Sequence, residues 1–272
     1  MNVRASATAV VRNAVEPYGY VVIYLGWSWF FWGLVVLSGR SVWTFPNVVL
    51  FYVGALSPAI GGVVMLYRTR GRRGLRTLWD RVVSVDRVSR RWYAVIVLLM
   101  PAINLLAAVL VVVFGTPDAP PLDPGSTVER LARPLSLVAF LGFTVGAGLV
   151  EETGSTGYFL DRLMETWSPV AAGAISGTVW ASWHVPLFLM EGYYSQASFQ
   201  PVVWRFFASF VLLETLFGWI YSNTRRSVLA AVLFHTMLNL TGEVLAPSQQ
   251  VRWYAFYLTA LVAFAVWLWQ RR

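Results

Sequence analysis

The chain alternates long apolar stretches with short polar ones. A membrane span needs about 20 mostly apolar residues. Eight stretches qualify, at about Tyr18–Ser38, Asn47–Tyr67, Trp92–Phe114, Pro134–Leu160, Pro169–Met190, Val202–Tyr221, Ser227–Leu245 and Trp253–Trp269. The first three and the last are almost purely apolar, and the middle four carry polar residues. Eight such runs cannot share one soluble core, so the pattern predicts an all-α polytopic membrane protein of about eight transmembrane helices around a central polar cavity. No internal repeat and no detachable soluble part breaks it. Residues 1–272 read as a single integral-membrane domain, with the polar positions concentrated at about 134–245.

Composition agrees. Of the 272 residues 57% are hydrophobic and 12% charged, against about 25% charged in soluble domains. There is no Cys, which excludes disulfides, thiolate metal sites and cysteine nucleophiles. The first apolar stretch is longer than the roughly 7–15 residues of a signal-peptide core and reads as a retained anchor.

The net charge is +8, carried entirely by arginine. These arginines sit between apolar spans rather than on a polar domain, which argues against nucleic-acid binding. They instead orient the chain. Nine fall between Arg68 and Arg91. With that linker in the cytoplasm, eight spans put 16 arginines inside and 5 outside. The expectation is a multi-pass protein of the cell membrane, in contact with the lipid bilayer, with both termini cytoplasmic. The nine-arginine linker reads first as an orientation signal and second as a contact for anionic lipid. The Gly115–Arg133 linker, rich in Pro and Gly, reads as an exposed outer loop.

Ionisable residues inside a bilayer are functional candidates because their insertion costs several kcal/mol. Here they are Glu151, Glu152, His184, Glu214 and His235, with Asn239 one turn past His235, and the set includes both histidines of the chain. His235 and Asn239, spaced i, i+4, share a helix face. They suit either a shared hydrogen-bonding point or packing between helices. Pro186, two residues after His184, opens or ends that helix beside the imidazole. Glu151 and Glu152 point about 100° apart on a helix, and two carboxylates this close in a low dielectric should not both ionise freely. The pair also suits a helix that ends at Val150, leaving it wetted at the interface. Glu214 reads as a packing contact of the sixth span rather than a site residue. Together, a carboxylate, two imidazoles and an amide can activate a water and stabilise the oxyanion of an attacked amide.

At these residues the chain resembles the CAAX-protease and bacteriocin-processing family of intramembrane proteases, which includes the type II CAAX prenyl endopeptidases. The matching motifs, in order, are the Glu151-Glu152 pair, Trp180 to His184 with Pro186, and His235-x-x-x-Asn239. The resemblance implies a membrane-embedded peptidase with its site between the fourth and seventh spans. Glu151, Glu152, His184, His235 and Asn239 are the implied catalytic set. Glu151 would activate the hydrolytic water, and the histidines and Asn239 would position it and stabilise the oxyanion. The implied substrate is a hydrophobic or lipidated peptide or protein. The favoured reading requires no cofactor, although Glu151, His184 and His235 are ligand types that zinc accepts with an open position.

One position departs from the family pattern. An arginine is expected four residues after Glu152, and the chain has Thr156. Three alternatives then remain for Glu152: protonation, a distant arginine (Arg162 or Arg225), or a hydrogen bond from Tyr158. The departure opens a second reading, a catalytically impaired relative acting as a membrane binding or immunity-type protein. A proton-coupled transporter is a third, but the interrupted helix pairs of transporter halves are missing.

Overall fold

The computed structural model describes residues 3–116, 120–195 and 201–271, and among these it is helix and turn without a named strand. The long helices are α1 (Val3–Leu37), α2 (Asn47–Ala55), α3 (Ser57–Val83), α4 (Arg90–Phe114), α5 (Pro124–Leu131) and α6 (Pro134–Gly154). A π-helical turn, Ser155–Leu160, continues α6 into the single turn α7 (Asp161–Leu163). Then come α8 (Pro169–Trp183), α9 (Val203–Asn223), α10 (Val228–Leu245) and α11 (Gln249–Gln270).

Seven helical segments among the described residues are long and apolar enough to cross a membrane, one fewer than the eight expected. The missing one is the stretch Pro169–Met190. It forms α8 of 15 residues, then a 3₁₀ turn at Val185–Phe188. Pro186 lies inside that turn, and a proline there cannot continue an α-helix. The helix therefore ends at Trp183, immediately before His184.

Other boundaries moved as well. The span Asn47–Tyr67 is two helices, α2 and α3, and α3 runs on through most of the arginine-rich linker. The outer linker Gly115–Arg133 includes α5, while residues 117–119 lie outside the described ones, as does Arg272 of the orientation count. The glutamate pair does not sit past a helix end at Val150, because helical structure continues to Leu163.

Large apolar side chains lie both inside and outside the bundle. Tyr20, Tyr24, Trp32, Phe217 and Phe234 are buried, whereas Phe30, Val112, Leu135 and Phe264 are exposed. An apolar outer surface is what lipid requires and water does not tolerate over large areas.

Two anchors hold the polar centre. The first is Trp183, whose ring packs against Tyr24 and Trp32. Its indole N–H donates to Ser28 and, at 3.1 Å, to Ser57. The end of α8, and with it His184, is thereby tied to α1 and α3. The second is the crossing of α3 over α6. A Cβ on Gly154 would stand 1.8 Å from the Pro58 carbonyl oxygen, so only glycine lets the two backbones approach this closely.

Below the π-turn lies a buried charge cluster. Arg81 of α3 donates to the Gly157 carbonyl at 2.7 Å and to the Tyr221 hydroxyl, and stands 3.3 Å from Asp161. Tyr221 and Arg226 each donate to Asp161 at 2.9 Å. Buried charges persist when paired and hydrogen-bonded on several sides. This cluster joins α3, α7 and the α9–α10 connection and so fixes the π-turn in place.

Candidate functional site

Glu151 and Glu152 are neighbours on α6 but serve different helices. Glu151 accepts a hydrogen bond from the Trp180 indole N–H of α8 at 2.8 Å. Glu152 is buried and pairs with His235 of α10, Oε1 to Nδ1, at 2.7 Å. The 100° offset between adjacent helical positions makes this division, one carboxylate facing α8 and the other α10.

The π-turn completes the surroundings of Glu152. Thr156 donates its hydroxyl to Oε2 at 2.6 Å; Ser155 lies 3.3 Å from the same oxygen but donates to the Glu151 carbonyl at 2.7 Å. None of Arg162, Arg225 and Tyr158 is its partner. Arg162 instead pairs with Glu165 at 2.7 Å, and Arg225 donates to the Arg87 carbonyl. A neutral hydroxyl thus occupies the place where the family pattern has a cation, and His235 supplies the second hydrogen-bonding partner.

Trp180 is the centre of the arrangement. Its ring centroid lies 5.4 Å from that of His235 and 6.0 Å from that of His184. Phe210 and Phe217 of α9 hold the ring from the sides. His184 directs Nδ1 to the Trp180 carbonyl at 2.9 Å, and its ring meets Trp183, Phe206 and Phe210. Its position follows from α8 ending one residue earlier, where the imidazole bonds back onto the last turn.

Glu151, Glu152, His184 and His235 are thus linked around Trp180. Asn239 stands apart. It lies one helical turn beyond His235 and lines a cavity of about 730 Å³ with Asn104, Tyr193, Leu238, Gly242 and Arg252. Of the five candidate residues only Asn239 lines this cavity; Glu151, Glu152, His184 and His235 do not. Glu214 is completely buried on α9, and neither carboxylate oxygen has a hydrogen-bond partner of good geometry among the described residues. Sequence reasoning did not assign Trp180, Ser155 or Thr156 to the site. Trp180 had a readable signal, an indole donor four residues before His184. Thr156 had one too, its i, i+4 spacing from Glu152, which puts a hydroxyl on the same helix face; Ser155 had none.

No three His, Asp or Glu side chains among the described residues are grouped so as to hold a metal ion. Within the set Glu151, His184 and His235, one glutamate oxygen is engaged by Trp180 and each Nδ1 by a different partner.

A family model described as Type II CAAX prenyl endopeptidase Rce1-like matches residues 133–241, which contain all of these side chains. The chain is also 26% identical over 256 residues to the CAAX prenyl protease 2 of Methanococcus maripaludis, covering 93% of this chain and 92% of that protein. The resemblance read from the motifs is borne out by both matches.

Proposed function

We propose, from that resemblance and the linked carboxylate–imidazole arrangement, that the chain is a membrane-embedded endopeptidase that hydrolyses peptide bonds with a water activated by Glu151. The observation that carries the reading is the division of labour between the two glutamates. Glu152 is committed to His235 and the Thr156 hydroxyl, whereas among the described residues the Glu151 carboxylate has one hydrogen bond, from Trp180, on one of its two oxygens.

In this reading Glu151 takes a proton from water as the hydroxide attacks the scissile carbonyl. The tetrahedral oxyanion is held by His235 and Asn239, and His184 positions the water. Glu151 then returns the proton to the leaving amine as the C–N bond breaks. Glu152 accepts from Nδ1–H of His235, and the ring holds the oxyanion as the imidazolium, whose Nε2 also carries a proton. The substrate is a hydrophobic or lipid-bearing peptide segment reaching Asn239 through the adjoining cavity. The chemistry uses no metal, and its rate is expected to be unchanged by a chelator.

Thr156 favours one alternative, a relative that keeps the pocket and has lost the chemistry along with the arginine. The test is cleavage of a diverse peptide pool by purified protein in proteoliposomes. The first reading requires cleavage by the wild type and its loss in Glu151→Gln, His184→Ala and His235→Ala. An inert wild type that gains activity as Thr156→Arg would establish the alternative.

A further inference from the structure

The part of α3 beyond Gly71 is not used by the chemistry above. Gly71 has φ 58° and ψ −155°, a conformation confined in practice to glycine, and it breaks the direction of the helix. The apolar residues of the candidate crossing segment Asn47–Val83 give way to arginine from Arg68 onward. The break at Gly71 therefore falls at the edge of the apolar stretch, where a crossing segment meets the headgroups.

From there the chain passes under the bundle rather than away from it. Arg70 reaches Glu165 after α7, Arg81 reaches Asp161 of α7 and Tyr221 of α9, and Arg87 reaches the Arg225 carbonyl before α10. Successive contacts with the ends of different helices hold the segment Arg72–Val83 across one end of the bundle.

Its two sides differ. Gly74, Leu78 and Arg81 are buried against the bundle. Arg72, Arg76, Trp79 and Val83, spaced i, i+4, i+7, i+11, form one exposed stripe, with Trp79 67% and Val83 48% exposed. Half-buried Leu75 and Val82 border the stripe, so apolar surface, arginines and a polar edge follow one another around the helix. That order is the signature of an interfacial helix. Of the nearby acids, Asp80 is paired with Arg87 at 2.6 Å and Asp86 lies beyond the helix. Arg72 and Arg76 have no ion pair among the described residues.

We propose that this stripe is a seat for anionic phospholipid headgroups, with Trp79 and Val83 in the acyl–headgroup boundary and Arg72 and Arg76 on the phosphates. The test titrates short-chain phosphatidylglycerol, with phosphatidylcholine as control, into protein purified in neutral detergent, with binding followed by thermal shift and native mass spectrometry. Phosphatidylglycerol is expected to bind selectively and more weakly at high salt. Arg72→Gln/Arg76→Gln should bind about 25-fold more weakly, at roughly fivefold for each arginine removed, while melting like wild type in phosphatidylcholine. Arg90→Gln/Arg91→Gln, matched in charge but off the stripe, should bind as wild type does. The proposal is overturned if wild type does not distinguish the two lipids or the two double variants lose binding equally. It is also overturned if inorganic phosphate alone gives the same stabilisation, because Trp79 and Val83 would then have no part in it.

Discussion

Thr156 donates to Glu152 at 2.6 Å from the position where the motif pattern leads one to expect an arginine. The carboxylate accepts from that hydroxyl on one oxygen and pairs with His235 at 2.7 Å on the other. The buried carboxylate is therefore satisfied without a cation at position 156.

Removal of that hydroxyl tests its contribution. Thr156→Val keeps the side-chain shape and leaves Glu152 Oε2 with only Ser155 at 3.3 Å, a hydroxyl that donates to the Glu151 carbonyl. Loss of a hydrogen bond to a buried charged group costs about 1.5–3 kcal/mol. A lower melting temperature in detergent is expected, and Thr156→Ser should restore most of it. Equal melting of Thr156→Val and wild type would mean that His235 alone satisfies Glu152.

Glu151→Gln separates chemistry from architecture. The amide oxygen still accepts from Trp180, but the side chain no longer takes a proton from water. Cleavage should fall by about 10²–10⁴-fold, the usual contribution of a general base, with the melting temperature close to wild type. Unchanged turnover would remove Glu151 from its proposed role.

Trp180→Phe keeps an aromatic ring against Phe210 and Phe217 and deletes the indole N–H. If the bond to Glu151 orients the base, kcat should drop about tenfold or more, on the order of the 1.5–3 kcal/mol carried by a charged hydrogen bond. KM should change little. A rise in KM with unchanged kcat would instead assign Trp180 to substrate binding.

Gly154→Ala addresses the scaffold under the site. The added methyl would collide with the Pro58 carbonyl oxygen, forcing α3 and α6 apart. Overpacking costs typically 1–3 kcal/mol, so reduced thermal stability is expected together with weaker cleavage. Gly142→Ala, on the same helix with open space at its Cβ, should leave both unaltered.

The all-helical membrane class was legible because lipid imposes it locally, as long apolar runs that must satisfy their own backbone hydrogen bonds. The candidate residues were legible for a related reason. Glu151, Glu152, His184 and His235 stand out against apolar surroundings where an ionisable group is costly. Pro186 pointed to a break beside His184, but the length of α8 depended on where the break fell, so a full span was expected where a 15-residue helix exists.

Partnership was decided only in three dimensions. Periodicity alone indicated that Glu151 and Glu152 diverge, but not that α8 would offer an indole to the first and α10 an imidazole to the second. Those contacts cross 29 and 83 positions of sequence. The fate of Glu152 was half legible: the i, i+4 spacing put Thr156 on its face, but the hydrogen bond with His235 depends on how α10 packs against α6. By itself the sequence determined which side chains are too costly to be in a membrane without a purpose. The tertiary structure decided which of them meet, because hydrogen bonds act over about 3 Å and only helix packing brings distant residues that close.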